Sequence, residues 1–276
     1  MTVLRCTCRI AGAAFTLTQI RDLNFSPDWH PDDHVPMPEV VARGRRPAVL
    51  ACGCCHRADG SGGPENARLA GLPVAYIAQQ MADFKSGARN TLVPGRNPGL
   101  MVDTARAITN GEIEAAAAYF SALIPRSAIK IVEAANAPKT RVVDWHLAVA
   151  LSAGTEPLGR RIIEVPENLE QFERRDGRSR WVAYVPLGSV RRGHELVTSG
   201  GRKTIPCGTC HGSDLKGLGP IPGIAGRSPS YLVRQLYDFR AGVRGGAGSA
   251  LMKTVVEKLS KDDIISLAVY TSSLNP

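Results

Sequence analysis

The chain has 276 residues, of which 43% are apolar and only 5% aromatic, and its formal net charge is +9. This length accommodates two small domains and a connector. No run of 18 apolar residues occurs, which excludes a membrane-spanning helix. The basic residues are scattered rather than gathered into runs, which argues against nucleic-acid binding and favours an acidic protein partner.

Residues 1–24 form a weak signal-like segment. Arg5 and Arg9 precede a short apolar stretch, residues 10–20, that Thr and Gln interrupt. Either an incomplete signal peptide or a misplaced start codon accounts for this pattern. Cys6 and Cys8 fall in this terminus, which we expect to be disordered or removed.

The next segment predicts an extended arm, because four prolines between Arg21 and Pro38 forbid a continuous helix. His30 and His34 in this arm are candidate metal or haem ligands, although neighbouring prolines and acids are more typical of a surface loop. Residues Glu39 to Val49 have helical composition.

Residues 52–56 read Cys-Gly-Cys-Cys-His and match the Cys-x-x-Cys-His attachment pattern of a c-type haem. Alone the pattern is a moderate signal, because Cys-x-x-Cys also serves zinc sites and dithiol redox motifs. Cys52 and Cys55 can form thioethers to the two vinyl groups, which holds His56 beneath the iron as proximal ligand. Cys54 occupies a variable motif position and is interpreted as an inert thiol rather than a regulatory one. The loop from Arg57 to Gly71 is rich in Gly, Asn and Pro, as expected beside a haem.

The motif occurs a second time as Cys207-Gly208-Thr209-Cys210-His211, at an offset of 207 − 52 = 155 residues. Cys207, Cys210 and His211 therefore predict a second haem site within an internal repeat. Further matching positions are Leu69-Ala70-Gly71 and Ile224-Ala225-Gly226, Tyr76 and Tyr231, Asp83-Phe84 and Asp238-Phe239, and Gly87-Ala88-Arg89 and Gly242-Val243-Arg244. Beyond Arg89 the offset shortens to 151, so that Tyr119 matches Tyr270.

The second axial ligand must be chosen between Met81 and Met101 in the first copy. Met81 aligns with Leu236, whereas Met101 aligns with Met252. Met252 is also the only methionine after the second haem motif. The repeat therefore selects Met101 and Met252 as the predicted iron ligands.

Helices follow each motif in both copies. Tyr76, Ile77, Gln80, Met81 and Phe84 share one helical face, and Tyr231, Leu232, Gln235, Leu236 and Phe239 are their equivalents. Thr109 with Glu112, and Ser260 with Asp263, have capping-box spacing before terminal helices at residues 113–123 and 264–274. These helices should pack against the amino-terminal helix of their own copy, which in the second copy covers Val190 to Thr198.

The segment between the copies is too long for a simple linker. Residues 161–165 and 181–185 are β-prone, and residues 167–180 carry dense mixed charge. Arg160, Arg161 and Arg180 could pair with haem propionates, although a solvated connector of mixed charge is the favoured explanation for each of them.

Two Cys-x-x-Cys-His motifs, each followed by a methionine and a terminal helix, resemble the tandem diheme class I cytochromes c over about residues 38–124 and 189–276. The resemblance implies an all-α fold of two class I cytochrome c domains joined by an irregular, partly β-prone connector. The expected segments are residues 1–24 (signal-like), 25–124 (first domain with its arm), 125–188 (connector) and 189–276 (second domain). It also implies two covalently bound haem c groups, export to the periplasm, and a proline carbonyl that orients each histidine, with Pro64 and either Pro220 or Pro222 as candidates.

The implied function is electron transfer from a periplasmic dehydrogenase or quinol-oxidising complex to a terminal oxidase or reductase, with no catalytic residues. Alternatives are a diheme enzyme of the peroxidase or thiosulfate-oxidising type, and a cytochrome subunit tightly bound to a dehydrogenase. Residues 188–276 carry twelve basic and six acidic side chains, a net charge of +6, whereas residues 38–124 carry nine and seven, a net charge of +2. A docking ring in the second domain is therefore predicted for an acidic partner. Its members are Arg191, Arg192, Arg202, Lys203 and Lys216.

Overall fold

The computed structural model describes residues 7–10, 13–92, 99–143 and 147–276. Near the amino terminus, β1 (Thr7–Ile10) pairs antiparallel with β2 (Ala13–Thr16), and α1 (Leu17–Arg21) follows directly. Cys8 lies in β1, where disorder was predicted, whereas Arg5 and Cys6 lie outside the described residues. The predicted arm contains a turn at Leu23 and Asn24 and a 3-10 turn at Pro31–Asp33, so it is less extended than expected, and Trp29 anchors it with only 1% of its surface exposed.

The first helical unit contains α2 (Glu39–Ala42), α3 (Cys52–His56), α4 (Val74–Ser86), α5 (Gly99–Ala107) and α6 (Asn110–Ala122). Helix α2 is much shorter than the predicted helix over residues 39–49. Gly44 ends it at φ +64°, and a Cβ there would lie 2.3 Å from the Val49 carbonyl oxygen, so the chain turns back tightly. The capping box of Thr109 and Glu112 begins α6 as predicted. The buried apolar residues of this unit include Val41, Val49, Ile77, Ala117 and Phe120.

The connector contains more sheet than the sequence indicated. Strands β3 (Ile129–Glu133), β6 (Ile163–Pro166) and β7 (Trp181–Val185) form one sheet with β7 in the centre, parallel to β3 and antiparallel to β6. Strands β4 (Asn136–Val143) and β5 (Leu147–Pro157) form a separate antiparallel hairpin, and α7 (Leu169–Glu173) precedes β7. The prediction of β7 is confirmed, and β6 begins two residues later than predicted.

The second helical unit contains α8 (Ser189–Ser199), α9 (Gly208–His211), α10 (Pro229–Arg240), α11 (Ser249–Val256) and α12 (Lys261–Ser273), with a small hairpin of β8 (Gly217–Leu218) and β9 (Ile221–Pro222). The prediction that α8 packs on α12 is confirmed. Gly193 makes the close crossing possible, because a Cβ there would lie 2.0 Å from the Ser266 carbonyl oxygen. None of the helices in the described ranges is long and apolar enough to cross a membrane.

Candidate haem sites

A cavity of ≈ 260 Å³ lies in the first unit, and residues of the second unit, among them Tyr231 and Gln235, complete its wall. Its wall brings together the four residues that the sequence selected for the first haem: Cys52, Cys55, His56 and Met101. Leu72, Ile77, Ile108 and Phe120 supply much of the apolar remainder. Helix α3 presents both thiols and the imidazole to this cavity because the Cys-x-x-Cys-His segment is helical from Cys52 to His56.

A backbone carbonyl orients the histidine. His56 Nδ1 lies 2.8 Å from the Ala67 carbonyl oxygen, which assigns the proton to Nδ1 and leaves Nε2 as the ligand atom. Burial lowers the pKa of His56, so the imidazole is neutral, which is the form that binds iron. The Phe120 ring lies edge-on with its centroid 6.3 Å from that of His56.

The prediction that the Pro64 carbonyl orients His56 is wrong. The Pro64 carbonyl turns toward the second unit and accepts a hydrogen bond from Arg234. A proline carbonyl orients the histidine only in the second unit. Any residue can supply a backbone carbonyl at this place in the loop, and in the first unit Ala67 does so.

The second unit repeats this arrangement. His211 Nδ1 lies 2.7 Å from the Pro222 carbonyl oxygen, and Pro222 stands 155 residues after Ala67, the same offset as the haem motifs. Burial lowers the pKa of His211 as well. Of the two proline candidates, Pro222 is therefore the one that faces the histidine, whereas Pro220 lies in the turn of the β8–β9 hairpin. Cys207 and Met252 pack against one apolar cluster of this unit.

Both methionines of the first copy lie on the cavity wall. Met81 also packs against the buried core of the first unit, as expected for a core side chain. The choice of Met101 therefore still depends on its match with Met252 and stays a prediction.

The sequence analysis missed a matched pair of arginines, Arg89 and Arg244, that lie between the units. Arg89 donates to Gln80 Oε1 at 2.7 Å, to Gln235 Oε1 at 3.1 Å and to the Tyr231 hydroxyl at 3.4 Å. Arg244 makes the reciprocal bonds, at 2.7 Å to Gln235, 3.1 Å to Gln80 and 2.8 Å to the Tyr76 hydroxyl. The signal was present in the repeat, since Arg89 and Arg244 are matched positions.

These guanidinium groups carry positive charge into the interface without a carboxylate partner. In the part of the chain that the structure describes, Arg68, Arg227 and Arg244 are buried and Arg89 is partly buried, and all four contact carbonyl, amide or phenol oxygens rather than forming ion pairs. Burial lowers the pKa of Arg89 and Arg227, and the proximity of other arginines lowers both further. Burial opposes ionisation of Tyr231, but Arg89, Arg244 and Arg227 outweigh it and lower its pKa to about 8. An anionic group at this edge of the cavity would relieve the excess charge.

The residues present fit a covalently attached haem. A porphyrin needs an apolar slot, two thiols, an imidazole and donors for two propionates. The cavity supplies apolar walls together with Cys52, Cys55 and His56, and Arg89, Tyr76 and Tyr231 line its polar edge. The arginines suggested for the propionates lie elsewhere: Arg160 pairs with Asp262, Arg161 with Glu156 and Arg180 with Glu167.

His30 and His34 do not form the surface loop that their neighbours suggested. Their side chains are 10% and 3% exposed, and they hydrogen-bond Asp176 at 2.9 Å and Asp28 at 3.2 Å. The hydrogen bond that His34 Nε2 donates to the Asp28 carboxylate raises the pKa of His34, although burial works against it. Among the described residues, no cluster of His, Cys, Asp and Glu is arranged to bind a metal ion.

No protein-family model matches the chain. The chain is 28% identical over 234 residues to a thiosulfate dehydrogenase electron acceptor of Stutzerimonas stutzeri, which covers 84% of this chain and 82% of that protein. It is 41% identical over 78 residues to cytochrome c-554(548) of Halomonas halodenitrificans, which covers 28% of this chain and 94% of that protein.

Solved structures agree with this similarity. A thiosulfate dehydrogenase (TsdBA) from Marichromatium purpuratum matches with a TM-score of 0.56 and 27% identity over 84% of this chain, which spans only 38% of that chain. Reduced recombinant cytochrome c4 from Pseudomonas stutzeri matches with a TM-score of 0.53 and 22% identity over 81% of this chain and 93% of that chain, and at this identity it supports the fold alone.

The fold and the two histidine sites define a c-type cytochrome built from two class I units. Its relatives confirm the resemblance on which the sequence analysis relied. The chain belongs to the diheme class I cytochromes c and carries two covalently bound haem c groups.

Proposed function

We propose that this diheme cytochrome is a periplasmic electron carrier that accepts electrons from a dehydrogenase and passes them to an oxidase or reductase. A thiosulfate dehydrogenase is the favoured donor, because a relative over most of the chain is named as the electron acceptor of that enzyme. The observation that carries the proposal is the matched pair of histidines, His56 and His211, which are oriented by carbonyls at the same repeat offset. Two equivalent sites suit two carrier haems better than one carrier haem and one open catalytic haem.

The repeat assigns the same roles to equivalent residues of the two copies. Cys52, Cys55, Cys207 and Cys210 would form the thioether bonds, and the iron ligands would be His56 with Met101 and His211 with Met252. When bound, haem c supplies a one-electron iron couple whose potential the axial ligands set. The carbonyls of Ala67 and Pro222 fix the imidazole rings and raise the basicity of Nε2.

The interface arginines have two roles in this proposal. Arg89 and Arg244 would neutralise propionates when haem is bound, and they join the two units through their bonds to Gln235 and Gln80. Backbone bonds reinforce the junction, from the Asn90 amide to the Val243 carbonyl at 2.8 Å and from the Gly245 amide to the Ala88 carbonyl at 2.7 Å. A junction fixed in this way would hold the two bound cofactors at a constant separation, which matters because the rate of electron transfer falls steeply with distance.

Replacement of each methionine tests the ligation and separates a carrier from an enzyme. Met101→Ala and Met252→Ala should each halve the near-red absorbance that arises from methionine-ligated ferric haem, and lower one potential by about 0.1 V or more, within the ≈ 0.8 V range that axial ligands set. Both variants should retain two haems per chain in a pyridine haemochrome assay. Met81→Ala is the matched control and should leave the absorbance unchanged.

The enzyme alternative makes different predictions in the same experiments. A wild-type protein with near-red absorbance for one methionine-ligated haem, together with thiosulfate or peroxide turnover that the purified chain sustains alone, would favour an enzyme. The similarity to part of a thiosulfate dehydrogenase structure is the observation that keeps this alternative worth testing.

A further inference from the structure

The connector covers the haem motif of the first unit. Arg175 Nη1 donates to Cys54 Sγ at 2.6 Å, and the Arg57 guanidinium lies 5.4 Å from the Phe172 ring centroid. Gly177 passes so close to the loop after the motif that a Cβ there would lie 2.7 Å from Asp59 Oδ1. We call residues 172–181 the cap, because they lie over the outer face of α3 and the loop that follows it.

The amino-terminal arm holds the cap in place. Trp29 Nε1 donates to the Arg174 carbonyl at 2.8 Å, and His30 Nε2 lies 2.9 Å from Asp176 Oδ1. Arg178 makes a two-pronged contact with Asp33, at 2.9 Å for each pair of atoms. A buried tryptophan and two polar contacts make the cap a fixed part of the first unit rather than a loose flap.

The equivalent surface of the second unit is open. Cys54 is 3% exposed, whereas its repeat equivalent Thr209 is an exposed residue. Gly63 lies against Trp181, and a Cβ at Gly63 would lie 3.3 Å from the indole ring. Its equivalent in the second unit, Leu218, is 59% exposed.

This difference decides which haem a partner can approach. The thioether bonds tie one edge of each porphyrin to its Cys-x-x-Cys-His segment, so a partner reaches that edge over the outer face of the segment. In the first unit the cap adds a layer of protein there, and electron transfer slows steeply with each added ångström.

Charge and apolar surface select the kind of partner. Arg202 and Lys216 are exposed on either side of the second motif, and within the described residues neither forms an ion pair. Two exposed apolar residues accompany them, Ile205 between the two cations in the chain and Leu218 two residues after Lys216, and both supply apolar contact area. This combination suits a redox protein with an acidic rim around an apolar centre.

We propose that electrons enter and leave through the second unit alone, by docking of an acidic redox protein on this open face, and reach the first haem only through the interface between the units. The proposal rests on the proposed carrier function. Each exchange moves one electron, so that one ferrous haem is oxidised as one acceptor site is reduced.

Stopped-flow oxidation of the fully reduced diheme protein by an acidic plastocyanin tests this route, with one Cu(II) reduced for each haem oxidised. Lys216→Glu and Arg202→Glu should each slow both haem phases about threefold to tenfold at low ionic strength, and should have little effect at 0.5 M salt, where the Debye length is only about 4 Å. Arg46→Glu is the control in the first unit. Arg46 is an exposed cation that pairs with Asp22, and it neighbours Pro47, which is the first-unit equivalent of Arg202.

Two results would overturn the proposal. One is equal slowing by Arg46→Glu, and the other is a haem phase that neither second-unit variant slows. Haem content and wild-type exchange are measured first, because a chain with fewer than two haems, or with no exchange at all, would refute the carrier function itself rather than the route.

Discussion

Asp263 offers a sharp test of how the second unit is held together. It is 1% exposed, and its carboxylate accepts hydrogen bonds from Lys203 Nζ at 2.8 Å, Arg192 Nη2 at 2.6 Å and the Ser260 amide at 2.9 Å. Arg192 and Lys203 of the predicted docking ring are therefore engaged in ion pairs within the second unit. Arg191, Arg202 and Lys216 remain available for a partner.

The expected cost of Asp263→Asn follows from these contacts. Hydrogen bonds to charged groups contribute about 1.5–3 kcal/mol when buried, but Arg192 and Lys203 are each nearly half exposed, so solvent weakens both bonds. Asparagine keeps one oxygen for the Ser260 amide. We expect a net loss of about 2 kcal/mol in the free energy of unfolding.

Asp262→Asn is the matched control. Asp262 is the neighbouring residue, and its partner Arg160 lies at 2.6 Å, but both side chains are well exposed. Such a pair contributes about 0.5 kcal/mol or less. Guanidinium unfolding of the diheme protein, followed by circular dichroism, measures both variants, and equal costs would refute the reasoning.

The pH dependence has a definite sign. Burial would raise the pKa of Asp263, but the hydrogen bonds from Lys203, Arg192 and Ser260 outweigh it and hold the pKa well below its usual range. The folded-state pKa thus lies below the unfolded value of about 3.9. The cost of Asp263→Asn should be constant above that value and shrink as the pH falls toward the folded pKa.

Two further predictions concern packing. Gly193→Ala should lower the free energy of unfolding by about 2 kcal/mol or more, since its Cβ would lie 2.0 Å from a backbone oxygen of α12. Gly111→Ala in α6 meets nothing within 4 Å and should raise that free energy by about 0.5 kcal/mol. Thermal denaturation compares the two variants, and an equal loss at both sites would contradict the prediction. Limited proteolysis within residues 165–182 should leave the two halves associated on gel filtration, because buried bonds such as Arg68 to the Ala225 carbonyl at 2.6 Å join the units directly, and halves that separate at once would refute this.

Much of the haem-site architecture could be predicted because it depends on local spacing. The Cys-x-x-Cys-His motif fixes two thiols and an imidazole within one helical turn, and the capping residues Thr109 and Ser260 set the start of α6 and α12. Comparison of the two copies added the methionine assignments, which remain predictions. Each of these inferences needs only neighbours in the chain or an equivalent in the other copy.

The remainder depended on contacts between residues far apart in the sequence. Arg175 and Cys54 are separated by 121 residues, and no local pattern indicates that they meet. Strands β4 and β5 pair with each other on the surface, where alternation is weak, so the hairpin escaped detection. Arg160 binds Asp262, which is 102 residues away, and no local sequence pattern indicates this pairing.

The reciprocal bonds of Arg89 and Arg244 have a consequence for how the two copies can change over time. Arg89 of the first copy binds Gln235 of the second, and the equivalent Arg244 of the second copy binds Gln80 of the first. This reciprocity is that of the isologous interface of a symmetric dimer, but here a single chain carries both sides. In a true homodimer every substitution occurs twice and on both sides of the axis. Here a substitution occurs once, in one copy only. The first copy therefore has Met81 where the second has Leu236, and Ala67 where the second has Pro222. The two haem environments are therefore free to diverge in potential, and covalent linkage keeps their separation and their one-to-one ratio fixed.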